Sequence, residues 1–115
     1  MKTGGIFEAI RIADFAAKHN VQCQMGSMLE NVIGCAHSIH AFLSHSNITT
    51  AELSSFSRLQ KCIGSGVTLN KDQTISIKES PGLGIEVQDD EIKEFLINES
   101  DSITFKKTRE GFNAQ

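Results

Sequence analysis

Apolar residues recur at Ile6, Ala9, Ile10, Ala13, Ala16 and Ala17, the three-and-four spacing of a helix with one buried face. Glu8, Arg11, Asp14 and Lys18 fall on the other side. The pattern predicts a helix over 6–20, opened by the bare backbone of Gly4-Gly5 and stopped at His19-Asn20. Its buried face is rich in alanine, so whatever packs there comes close. Residues 21–25 are too few for a helix between these signals and predict a short strand. Asn31 is placed to cap a second helix over 32–43, with Ile33, Ala36, Ile39, His40 and Leu43 on one stripe. Asn47 ends that unit, and 48–53 predict another short strand.

The period then changes. Ser54-Ser55-Phe56-Ser57 and Gly64-Ser65-Gly66 frame a loop-rich stretch. After it, Val67-Thr68-Leu69 and Thr74-Ile75-Ser76-Ile77 alternate with period two around the turn-forming Asn70-Lys71-Asp72-Gln73, which predicts a hairpin. Ser80-Pro81-Gly82-Leu83-Gly84 is a rigid turn, and Ile85-Glu86-Val87 suit a third strand. Asp89 or Asp90 is expected to cap a short acidic helix over 91–97, with Ile92, Phe95 and Leu96 turned inward. A strand over 102–105 and a frayed end over 108–115 complete the chain. Helix, strand, helix, strand and a small antiparallel piece define an α/β chain. It divides into 1–55, 56–97 and a tail over 98–115.

Composition narrows the function classes. A formal net charge of −3 argues against non-specific nucleic-acid binding, which needs a basic face. No apolar run approaches the roughly 20 residues of a membrane span, and no apolar segment of a secretory signal follows Lys2. Cys23, Cys35 and Cys62 are odd in number and widely spaced, which suits reduced thiols in a cytoplasmic protein. Trp and Tyr are absent and Phe supplies all aromatic area, unusual for a free-standing binding module.

The candidate chemistry centres on residues 22–31, a strand that breaks at Gly26 and opens a helix. In parallel α/β proteins the loop at the carboxyl end of a strand is where ligands bind. Glu30 there suits either proton handling near substrate or simple stabilisation of a helix amino end. His37 and His40 stand three apart with Cys35 nearby, but a metal site needs three or four converging ligands and no carboxylate shares that face. His40 is better read as core-facing. Cys23 lacks a histidine partner at a fixed spacing and reads as buried filler rather than a nucleophile. Gly4-Gly5 suits an anion cradle or merely a tight turn. The acidic run 89–94 reads as a solvated face.

Lys2-Thr3-Gly4-Gly5-Ile6, Glu8-Ala9, Ile12-Ala13, Ala16, and then Met25-Gly26-Ser27-Met28-Leu29-Glu30 resemble the enolase superfamily. Ile33-Gly34, Ala36 and His40-Ala41 continue the likeness, and 72–87, with Ser80-Pro81-Gly82-Leu83-Gly84-Ile85, resemble its closing stretch. The match is to the muconate-lactonising subgroup, and within it the dipeptide epimerases. It covers residues 1–95, and the order and spacing of the motifs are more specific than any one of them.

The resemblance implies the C-terminal part of a (β/α)7β barrel of the TIM type, with the antiparallel hairpin contributing to a capping domain. It implies proton abstraction beside a carboxylate, with Mg²⁺ holding the enediolate charge, on a small carboxylate substrate. The family's metal ligands and lysine pair stand on earlier strands, outside this chain. Its remaining lysine base stands three residues before the lysine that precedes Gly-Gly. Lys2 matches the latter, so the base would fall before Met1. A step of three along a strand turns Lys2 to the opposite face. The expectation is therefore no catalytic residue, no metal ligand and no Mg²⁺ bound by this chain alone. The missing amino-terminal portion of barrel and cap, on the same or a separate chain, is the implied partner. No nucleic acid or membrane is implied.

Substrate-binding residues carry over by position. Met25, Ser27, Met28 and Glu30 match a loop that lines the family's substrate pocket. Glu52 and Ser54 stand where dipeptide epimerases carry an Asp-x-Asp pair that receives the substrate ammonium. Serine carries no charge and glutamate reaches further, which points away from a strict dipeptide preference. The alternatives are a free-standing, non-catalytic α/β interaction module, which would unfold cooperatively by itself, and one subunit of a split enzyme.

Overall fold

A computed structural model of the chain describes residues 2–96, 105–108 and 111–114. Helix α1 spans Ile6–Lys18, strand β1 Cys23–Met25, helix α2 Val32–Ser44 and strand β2 Ile48–Ala51. A 3-10 turn over Ser55–Arg58 follows, then β3 (Val67–Leu69), β4 (Ile75–Ile77), α3 (Asp89–Glu94), β5 (Phe105–Thr108) and β6 (Gly111–Ala114).

β1 and β2 pair in parallel, Cys23 opposite Ile48 and Met25 opposite Ala51, with α2 as the connection. The helix starts where expected. Asn31 Oδ1 accepts from Ile33 N at 3.0 Å and Gly34 N at 3.5 Å, satisfying two donors that have no partner within the helix. Its inner face buries Val32, Cys35, Ala36 and Ile39 against Leu53, Phe56 and Val67. Half-buried Ile75, Ile77, Leu83 and Ile85 close that core from the hairpin side.

α1 is less buried than its pattern predicts. Only Ala13 is fully enclosed, while Ala17 is exposed and Phe7, Ile12 and Phe15 also face outward. Polar side chains hold it in place. Asn47 Nδ2 donates to Ala13 O at 3.2 Å and to Val21 O at 2.8 Å, tying the helix to the start of β1. His45 Nδ1 accepts from Asn47 N at 3.1 Å, so Nε2 carries the proton donated to Asp14 Oδ1 at 3.0 Å.

β3 and β4 form the expected antiparallel hairpin. The third strand over 85–87 is reduced to a single bridge, Ser65 with Glu86. The cause is local crowding of backbone. Gly66 O accepts from Lys78 N at 2.8 Å, and a Cβ on Gly84 would stand 2.2 Å from Lys78 O. Three segments cross there, which leaves no room for a regular ladder.

α3 also departs from expectation. Gln88, not Asp89 or Asp90, stands at its N-cap, and the Glu91 carboxylate accepts from Gln88 N at 3.2 Å. Glu91 Oε2 further accepts from Gly64 N at 3.1 Å, and Lys61 pairs with Glu94. α3 is thus held by its polar side, and Ile92, Phe95 and Leu96, predicted inward, are 44, 45 and 69 % exposed. Of the strand expected over 102–105, only Phe105 lies within the described residues. The end predicted to fray instead pairs its backbone, Phe105 opposite Ala114 and Thr108 opposite Gly111. That ladder satisfies donors and acceptors a frayed end would leave to water. No helix among the described residues is long and apolar enough to cross a membrane.

Candidate functional site

The carboxyl ends of β1 and β2 point the same way, so the segments that leave them meet. Glu52 N donates to Met25 O at 2.9 Å, carrying the pairing one step past the strands. Ser27 Oγ then donates to Glu52 Oε2 at 2.9 Å, and Ser54 donates to Oε1 from Oγ at 2.6 Å and from its backbone N at 3.2 Å. Three donors on one carboxylate favour its charged form. Together, first the Ser54 hydroxyl, then Ser27 and the Ser54 amide, they hold the Glu52 carboxyl below its ordinary value, although it is open to solvent.

The sign of that effect is testable. Removing the strongest donor by Ser54→Ala should raise the Glu52 pKa toward that of an unperturbed glutamate, as read by ¹³C chemical-shift titration of the side chain. An unchanged midpoint would mean that water already supplies the donor's part.

Glu30 stands at the other end of the same loop. Its carboxylate accepts from Met28 N and from Ser55 Oγ at 3.4 Å. Between Met28 and Glu30, Leu29 sits at φ +58°, a left-handed conformation uncommon for a residue with a branched side chain. Ser55 escapes a sequence search for binding residues. It is 4 % exposed and bridges Glu30 to the segment that follows Glu52, and its only signal is its place directly after Ser54.

The expected substrate residues therefore fall into two groups. Ser27, Glu52 and Ser54 form one hydrogen-bonded cluster. Met25, Met28 and Glu30 line a cavity of about 370 Å³ together with Lys2, Gly4-Gly5 and, from α2, Gly34 and His37. Met25 also packs on the core, while Met28 is exposed.

The other reactive side chains are accounted for by the fold. His37 Nδ1 donates to Ile33 O at 2.9 Å and His40 Nε2 to Leu83 O at 3.2 Å, so the two imidazoles serve separate carbonyls. His40 is half-buried, holding α2 to the Ser80–Gly84 turn rather than filling the core. Cys23 Sγ lies 3.9 Å from Asn47 Nδ2, without a base beside it. Cys35 donates its thiol proton to Leu53 O at 3.0 Å. Burial, reinforced by the charges of Glu30 and Glu52, pushes that thiol up to about 11, which leaves it inert at neutral pH. Among the described residues no three His, Cys, Asp or Glu side chains converge as metal ligands.

Residues 1–91 match the enolase C-terminal domain-like family. The chain belongs to that family. It is 36 % identical over 98 residues to the N-succinyl-L-Arg/Lys racemase of Bacillus cereus, covering 84 % of this chain and 26 % of the racemase. It is 35 % identical over 85 residues to the L-Ala-D/L-Glu epimerase of Bacillus subtilis, covering 74 % of this chain and 23 % of the epimerase. The crystal structure of the Bacillus cereus racemase superposes with a TM-score of 0.71 at 33 % identity, over 83 % of this chain and 25 % of that one. A muconate lactonizing enzyme from Klebsiella pneumoniae gives 0.75 at 26 % identity, over 84 % and 27 %. The enolase-type chain therefore spans about a quarter of the length of the curated relatives it matches. Its α/β architecture is shared with enzymes of the enolase superfamily.

Proposed function

We propose that this chain supplies the last units of a (β/α)7β barrel, and a hairpin of its capping domain, to a Mg²⁺-dependent epimerase or cycloisomerase. The observation that carries the proposal is the Ser27–Glu52 hydrogen bond. It joins the loops leaving two adjacent parallel strands at their carboxyl ends, the position from which barrel enzymes build their active sites.

In this reading Glu52, held ionised by Ser27 and Ser54, receives a cationic or hydrogen-bonding end of the substrate. Glu30 and Met28 form the wall nearer α1, and the substrate is a small carboxylate. Magnesium, when bound, stabilises the negative charge that develops on the substrate carboxylate as its α-proton leaves. Among the described residues no three His, Cys, Asp or Glu side chains converge, and in this reading the metal ligands and proton-transferring bases stand on earlier barrel strands. Those strands come from a preceding segment or a separate polypeptide. The cation that Glu52 meets is set by the substrate: the names of the relatives include dipeptides and N-succinylated basic amino acids.

Among the described residues no strand pairs with the outer edges of β1 and β2, which favours this reading over a free-standing interaction module. So do Phe7, Ile12, Phe15 and Leu43, between 49 and 86 % exposed. A self-sufficient domain would have covered or charged such surfaces.

Tested alone, the purified chain should exchange no α-proton of N-succinyl-lysine or L-Ala-L-Glu and should bind Mg²⁺ no better than background in titration calorimetry. Tight one-to-one Mg²⁺ binding by the chain alone would overturn the proposal.

A further inference from the structure

Gly34, the third residue of α2, lacks a side chain where Glu30 needs room. A Cβ at this position would lie 2.8 Å from Glu30 Cβ and 3.0 Å from its Cγ. These are atoms at the root of the Glu30 side chain, so they cannot swing aside without moving the carboxylate. That carboxylate closes the loop above the cavity. It accepts from Met28 N, across a Leu29 held in a left-handed conformation, and from Ser55 Oγ. Without the acceptor, nothing else in the described contacts of the loop occupies Met28 N.

We propose that Gly34 is a positioning residue for Glu30: the missing Cβ lets Glu30 lie along the first turn of α2 and hold the Met28–Glu30 turn in the shape that walls the cavity. The choice of glycine has no helix-forming reason, since glycine weakens a helix interior relative to alanine. It is not explained by backbone angle either, because its φ is negative like that of its helical neighbours. The inference rests on the proposed function only in calling that wall a substrate wall. Its test reads hydrogen bonding and stability rather than catalysis, so failure of one does not entail failure of the other.

Two measurements on the 115-residue chain test it. In ¹⁵N–¹H spectra the Met28 amide of the parent should shift as the Glu30 carboxylate is protonated. In Gly34→Ala that response should be lost, while the Ile33 amide, bound to the Asn31 cap, keeps its position. In urea unfolding, Gly34→Ala should lower the midpoint of the parent chain but raise it in a Glu30→Gly background, where both obstructing atoms are gone and helix propensity alone remains. A Gly34→Ala chain that folds only when Glu30→Gly is added also supports the proposal. A Met28 amide that titrates unchanged in Gly34→Ala, or an equal loss of stability in both backgrounds, would overturn it.

Discussion

Gly66→Ala is expected to destabilise the chain by about 3 kcal/mol or more, combining left-handed strain with overpacking. Gly66 sits at φ +117°, a conformation in which a side chain is strained whatever the surroundings. Its added Cβ would also stand 2.2 Å from Gly84 O and 3.0 Å from Ile85 Cα. Both neighbours are backbone, so no rotamer change relieves the contact. Gly84 cannot retreat, because its own backbone lies against Lys78, whose N donates to Gly66 O at 2.8 Å. The crossing of three segments must open, which detaches the hairpin from the loop below it. Urea unfolding measures the loss. Gly26→Ala is the control: no atom lies within 4 Å of its added Cβ and its φ is not positive, so its midpoint should move by about 0.5 kcal/mol at most. Equal effects at the two positions would mean that the crossing is looser than described.

Leu53→Ala is expected to cost about 2–5 kcal/mol through lost apolar contact and the cavity left behind. Leu53 is 5 % exposed and lies in the cluster formed by α2, Phe56 and Val67. The substitution has a second consequence, because Leu53 stands between Glu52 and Ser54. Its side chain anchors inward the segment whose neighbours point the Glu52 carboxylate at Ser27. Its carbonyl also takes the Cys35 thiol proton. Loosening it should therefore weaken the Ser27–Glu52 bond, seen as a rise in the Glu52 pKa alongside the lower unfolding midpoint. A stability loss with no change at Glu52 would mean that backbone pairing of Glu52 N with Met25 O is enough to hold the site.

What could be read from the sequence was what local chemistry decides. Asn31 followed by an apolar stripe gives α2 its start because the cap acts within three residues. The hairpin is equally local: Asp72 Oδ1 accepts from Thr74 N and Oγ, and Asn70 N donates to Thr74 O across the turn. Where competing partners decide, the pattern misleads. Asp89 and Asp90 are good capping residues, yet Gln88 takes the N-cap, its backbone N donating to Glu91, whose carboxylate also takes Gly64 N from 27 positions away. Periodicity places Ile92, Phe95 and Leu96 on one face but says nothing about which side of the helix is tied down.

The candidate site divides in the same way. Ser27, Glu52 and Ser54 were singled out only through the family resemblance, and the pairing of β1 with β2 brings them within hydrogen-bond reach. Ser55 and Gly34 were not identifiable as partners of Glu30. One is a serine among several, and the other matters through an atom it lacks.

The central claim is that this chain completes a barrel it does not itself contain. Its most direct test is complementation. The chain is co-expressed with the Bacillus cereus N-succinyl-L-Arg/Lys racemase cut off where its match to this chain begins, and the mixture is incubated with N-succinyl-lysine and Mg²⁺ in D₂O. The account predicts co-purification of the two polypeptides and loss of the α-proton signal in ¹H NMR, abolished by chelation of the metal. Co-purification without exchange in the parent pair, or a chain that ignores the truncated racemase, would contradict it.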